Sequence, residues 1–145
     1  SIINQLMNQK EYTLAVIETA SCGLIAAKSI RLDGLQQSRT IHNIDSFLTE
    51  LNITKADKVE DTAVAISKAI KQIYNSNMVL VQLSSADKKQ FHDKEVSIRL
   101  YNVLLTPHGV YQNDCIVSGP LMRKQNQAAI RALDLLRRVL QNKCL

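Results

Sequence analysis

Between residues 13 and 27 the chain reads TLAVIETASCGLIAA, and this stretch constrains the fold more than any other. Leu14 to Ile17 is a short apolar run without alternation, the pattern of a central strand covered on both faces. A tight polar turn follows at once, and Gly23 to Ile30 then has the small and apolar residues of a helix. The turn is also a natural ligand site. Free backbone N–H groups and the positive end of a helix dipole attract phosphate or carboxylate, and Thr19, Ser21 and Cys22 stand there as candidate nucleophiles.

The rest of the chain alternates in the same manner, which favours an α/β domain over a helical bundle. Residues 1 to 10 read as the end of a helix. Within the ambiguous stretch Arg31 to Thr54, a strand is predicted near Thr40 to Ile44 and a helical turn from Asp45 to Leu51. Ile66, Ala69, Ile70 and Ile73 share one face of a helix over 61–73, with acidic Glu60 and Asp61 suited to its start. Met78 to Leu83 reads as a strand leading into a polar loop, Ser84 to Lys94. Alternating Val96, Ile98, Leu100 and Leu104 predict a long strand over 96–105. Thr106-Pro-His-Gly109 supplies a turn, and Val110 to Val117 is the expected antiparallel partner. After the break at Gly119 and Pro120, Ala129, Ala132, Leu133, Leu136 and Leu140 line one face of a last helix.

With 145 residues the chain fits one domain, residues 1–145, able to bury about 70% of its unfolded surface. Cys22, Cys115 and Cys144 are odd in number and lack metal-ligand spacing, so neither a disulfide framework nor a metal site is expected. No cofactor is implied. Reduced thiols, no signal pattern and no apolar run near the ~20 residues of a membrane span suggest a cytoplasmic protein. The net charge is +5, with six basic and seven acidic residues up to position 60, then twelve and six. Such an excess could serve nucleic acid, yet Lys68, Lys71, Arg131, Arg137 and Arg138 fall on expected solvent faces. A solvated basic surface is the simpler reading.

The opening stretch resembles the first motif of the CinA C-terminal domain family, usually TLAVAESCTGGLIAA. Val59-Glu-Asp-Thr-Ala is similar to that family's VSEEVA helix start, and Val96 to Val110 to its VGTVYIAL strand and DGV turn. Ala128 to Leu140, AAIRALDLLRRVL, resembles AVQAALDLLRRLL almost position for position, with Gly119 at the glycine of a GDR motif. The resemblance implies a three-layer α/β/α sandwich with a mixed, mostly parallel sheet. It also implies an anionic small molecule, a nucleotide, as ligand, and assembly with a second copy or a homologous chain. Characterised members include amidohydrolases that release ammonia from nicotinamide mononucleotide. Their nucleophile is the serine of ESCTGG, helped by a tyrosine and a lysine of an AYSNEAK segment.

Carried over by position, these roles meet altered residues. Glu18 and Gly23 match, but the serine becomes Thr19, the cysteine Ala20, the threonine Ser21 and the first glycine Cys22. A threonine keeps the hydroxyl, although its methyl crowds attack and restricts χ1. Ile41 to Phe47 aligns with AYSNEAK, placing His42 at the tyrosine and Phe47 at the lysine, so the implied base is missing. The family's TGIAGPGGG loop corresponds to Leu83-Ser-Ser-Ala-Asp-Lys-Lys89, without glycine, and its arginines to Leu121, Gln125 and Gln127. The expected site therefore comprises Thr19 and His42 as vestigial catalytic groups, with Glu18, Ser21, Cys22, Gly23, Ser84 and Ser85 toward a ligand. Glu18 could orient a hydroxyl at the site or cap nearby amides, Cys22 reads as a buried filler ahead of a reactive thiol at the helix start, His42 reads more simply as an exposed loop histidine than as a base, and His92 and His108 read as surface residues.

Three functions follow as expectations. The first is a CinA-like binding or assembly module whose amide hydrolysis is lost or strongly reduced. The second is an active amidohydrolase using Thr19, with His42 or an unrecognised group as base. The third is a nucleic-acid-associated protein, supported by charge alone.

Overall fold

A computed structural model describes residues 1–142. Five strands form one sheet in the order β2-β1-β3-β4-β5. They are β1 (Leu14–Glu18), β2 (Leu35–Thr40), β3 (Met78–Leu83), β4 (Ile98–Thr106) and β5 (Gly109–Val117). The first three run parallel, with Val16 opposite both Ser38 and Leu80, and β4 and β5 complete the sheet antiparallel.

Every residue of β1 and β3 is buried, as the unbroken apolar runs require. Successive side chains serve opposite faces of the sheet. Leu14, Val16, Met78, Leu80 and Leu104 pack with Met7 of α1 (Ile2–Lys10), Ile25 of α2 (Leu24–Lys28) and the Ala129, Ala132, Leu135 and Leu136 face of α6 (Leu121–Leu140). Ala15, Ile17, Val79, Val81, Val103 and Leu105 pack on the other side, with Phe47 and Leu48 of α3 (Ile44–Glu50) and Ala63, Ile66 and Ile70 of α4 (Val59–Tyr74). The result is the expected three-layer α/β/α sandwich. Among the described residues, no helix is long and apolar enough to cross a membrane.

Two assignments made from the sequence are corrected. The strand placed near Thr40 to Ile44 is in fact β2, which ends at Thr40, while Ile44 already begins α3 under an Asn43 cap that accepts the Ser46 amide. The segment read as a polar loop contains α5 (Lys88–His92), held by a reciprocal box in which Asp87 accepts the Gln90 amide and Gln90 accepts the Asp87 amide. Ile73 lies off the packed face of α4 and is largely exposed.

Candidate functional site

The parallel strands end on one side of the sheet, where α/β domains commonly place their ligands. A cavity of about 260 Å³ opens there. Thr19, Ala20 and Cys22 enter it from the turn after β1, Ile41, His42 and Ile44 from the segment after β2, and Ser84 and Ala86 from the segment after β3. Lys88, Phe91 and His92 of α5 and Leu121 and Gln125 of α6 close the far wall. Thr19, Cys22, His42 and Ser84 thus line one cavity.

Glu18, Ser21, Gly23 and Ser85 are not on the lining. Glu18 has no exposed surface, and its carboxylate is filled by the chain itself. One oxygen accepts the Ser21 hydroxyl at 2.5 Å and the Gly23 and Ile25 amides at 2.9 and 3.0 Å; the other accepts the Ala26 amide at 2.9 Å. Glu18 therefore caps α2, and the hydroxyl that it orients is that of Ser21, away from the cavity. The amides read as a free anion seat are already occupied. Ser21 is buried with it. Gly23 turns the chain at φ 95°, a value that suits glycine.

Thr19 is the pivotal residue. Its hydroxyl donates to the main-chain oxygen of Gln82 at 2.9 Å. A carbonyl accepts a hydrogen bond but cannot carry the proton away, so this contact does not activate the oxygen. Among the described residues, no lysine amine or acid–base pair hydrogen-bonds to Thr19. Phe47, at the position implied for the lysine, is buried in the core beneath α3 with Arg39 stacked over its ring at 4.9 Å. It neither supplies a base nor fills the cavity.

Cys22 corrects the expectation of a buried filler. It is exposed, with φ 52°, and its position on the turn places it on the cavity wall. His92 corrects the surface reading in part: it is exposed but lines the same cavity. Its Nδ1 lies 2.8 Å from the Lys88 main-chain oxygen, which can only accept, so Nδ1 is the donor in this contact. His108 remains at the exposed hairpin turn.

Lys88 and the placement of α5 were not anticipated. The helix is anchored by Lys124, a side chain with no exposed surface whose ammonium donates to the main-chain oxygens of Gln90, Phe91 and Asp93 at 3.1, 3.3 and 2.7 Å. Three donors meet three acceptors. Behind the cavity, Gln82 Nε2 donates to Asn102 Oδ1 at 2.9 Å and to the Ala128 main-chain oxygen at 2.8 Å, and Asn102 donates to Asn113. This amide row fixes β3, whose Gln82 carbonyl holds Thr19, against α6.

The titratable side chains on the lining are Lys88, His42, His92 and Cys22, with no carboxylate among them. The lining therefore carries basic side chains and offers no carboxylate as a general acid or base. Among the described residues, no group of three His, Cys, Asp or Glu side chains could hold a metal ion.

No protein-family model matches the sequence, and no curated protein does. Solved structures do match in fold. A competence or damage-inducible protein from Enterobacter asburiae superposes with a TM-score of 0.79 at 9% identity, over 96% of this chain and 94% of that one. The fold is CinA-like. A CinA superfamily protein from Enterobacter cloacae gives a TM-score of 0.77 at 9% identity, over 95% and 90% of the two chains. Another from Klebsiella pneumoniae gives 0.76 at 11%, over 97% and 94%. Near-complete coverage of both partners means that the CinA-like architecture extends across the whole sheet and both helical layers.

Proposed function

We propose that this CinA-like domain is a binding module for an anionic small molecule of the nucleotide class, and that it does not hydrolyse the ligand's amide. The carrying observation is the hydrogen bond from Thr19 to the Gln82 carbonyl beside an open cavity. Binding needs a shaped cavity with convergent polar groups, and Lys88, His42, His92 and Gln125 supply them. Hydrolysis needs in addition a group that takes the nucleophile's proton and returns it to the leaving amine. The hydroxyl of Thr19 has its proton directed at a carbonyl.

Calorimetric titration with nicotinamide mononucleotide, run beside an ammonia-release assay, tests this reading. Saturable binding that weakens in Lys88→Ala, without ammonia release, is expected. Ammonia release that disappears in Thr19→Ala overturns it.

One observation favours the second reading, an active amidohydrolase: His42 and Thr19 line the same cavity. If His42 is the base, turnover must fall in His42→Ala while ligand binding persists.

A further inference from the structure

Two hydroxyls reach the wall of the cavity where the parallel strands end, that of Thr19 after β1 and that of Ser84 after β3. A hydroxyl has one proton to give and two lone pairs with which to accept. Thr19 donates to the main-chain oxygen of Gln82 at 2.9 Å, one residue beyond Val81, where the β1–β3 register makes its last pair with Ile17. Ser84 donates to the Arg99 main-chain oxygen of β4 at 2.9 Å and accepts the Ala86 amide at 3.0 Å. Both protons are therefore directed into the protein. Turning either one toward a ligand would leave a main-chain carbonyl without its donor, which is costly wherever water does not replace it.

What these two side chains leave for a ligand is lone pairs. Among the described residues, nothing donates to Thr19 Oγ1, and Ser84 Oγ accepts the Ala86 amide alone. An acceptor oxygen is satisfied by an N–H or O–H group of the ligand, whereas an ionised carboxylate can only accept and leaves it unpaired. The amides at the head of α2 do not make up the difference, because Glu18 takes those of Gly23, Ile25 and Ala26. The basic side chains of the lining come from other elements: Lys88 and His92 from α5, and His42 from the segment after β2.

We infer that Thr19 and Ser84 set the specificity of the cavity: the strand-end wall selects a ligand whose uncharged end carries N–H donors, an amino or carboxamide group, over the same ligand with a carboxylate there. This selectivity rests on the binding reading above and adds which end group is accepted. It gives Thr19 a role that requires no proton transfer, since its oxygen acts through a lone pair. Specificity is a difference of affinities, and it grows when the disfavoured ligand leaves polar groups unpaired. Charge alone gives the opposite order. The lining holds Lys88 and no carboxylate, so one more negative charge on the ligand would otherwise tighten binding.

Calorimetric titrations near neutral pH with nicotinamide mononucleotide and nicotinic acid mononucleotide test the inference, because the two differ only in carboxamide against carboxylate. The amide should bind about tenfold more tightly, and Thr19→Val and Ser84→Ala should each bring the two affinities closer by about threefold. Thr19→Ser keeps the oxygen and should keep the preference. A merely structural role for Thr19 would weaken both ligands alike and leave their ratio unchanged. Thermal melts confirm that the variants fold. Equal affinities in the parent, or tighter binding of the acid, overturn the inference and leave the binding reading standing. A preference unaltered in both Thr19→Val and Ser84→Ala overturns it as well. Binding of neither nucleotide is the distinct failure of the binding reading, and this selectivity falls with it.

Discussion

The ammonium of Lys124 lies 2.7 Å from the main-chain oxygen of Asp93, at the end of a helix too short and too polar to stay in place by itself. Lys124→Met should leave the last carbonyls of α5 without their partner. A loss of about 1–3 kcal/mol is expected, the cost of leaving part-buried carbonyls without their charged donor. Hydrogen exchange should rise over residues 88–93 before the sheet is affected. Unchanged protection there would show that α5 is held by other contacts.

Glu18 organises the first turn of α2 through four accepted hydrogen bonds. Glu18→Ala should cost about 2–4 kcal/mol, because a hydroxyl and three amides lose their acceptor in a buried site. Glu18→Gln should cost less, since its amide oxygen can still accept. Urea melts of the two variants give the order directly.

Asp134 accepts from Arg137 and Arg138, and these hydrogen bonds hold its carboxyl below the ordinary range. A depressed folded-state pKa contributes stability above the unfolded value and loses it as pH falls through the folded one. Asp134→Asn should therefore lower the melting temperature near pH 6, and the gap from the parent should close below about pH 4. The side chains are about one-third exposed, so the effect should stay below about 1 kcal/mol.

The thiols should separate in reactivity. Cys22 is exposed, while Cys115 is half-buried and burial pushes its thiol pKa up. In a Cys144→Ser background, iodoacetamide at pH 8 should label Cys22 first, with mass spectrometry of peptides as the readout. A ligand in the cavity should slow labelling of Cys22 and leave Cys115 unaffected. Equal rates would contradict the placement of Cys22.

The buried elements were legible because burial writes itself into the residue pattern. Leu14–Ile17 and Met78–Leu83 are covered on both faces and carry no polar interruption, and the apolar face of α6 repeats at helical spacing. β2 was misplaced because an edge strand with exposed Gln36 to Arg39 lacks the apolar signal by which strands are read. The start of α5 was present in the text as Asp87 and Gln90 three residues apart, but no apolar run followed to confirm a helix. Within the site, the turn after β1 was legible from the apolar run that meets a polar stretch, whereas His42 was singled out only by the resemblance that sets it at the family's tyrosine. Lys124 was not legible, since a lysine on an amphipathic helix ordinarily faces solvent and only the tertiary arrangement supplies its three carbonyls. The fate of the α2 amides was also hidden. Glu18 is in the motif, but the sequence does not say which way its carboxylate folds.

That inward fold of Glu18 bears on how the proposed anionic guest would sit. The amides at the head of α2 already serve a carboxylate of the chain's own and are not left for a second one. On the proposed reading the negative end would turn to Lys88, leaving the uncharged portion against Thr19 and Cys22. Orientation in the cleft would then be set by a side chain that no guest can touch.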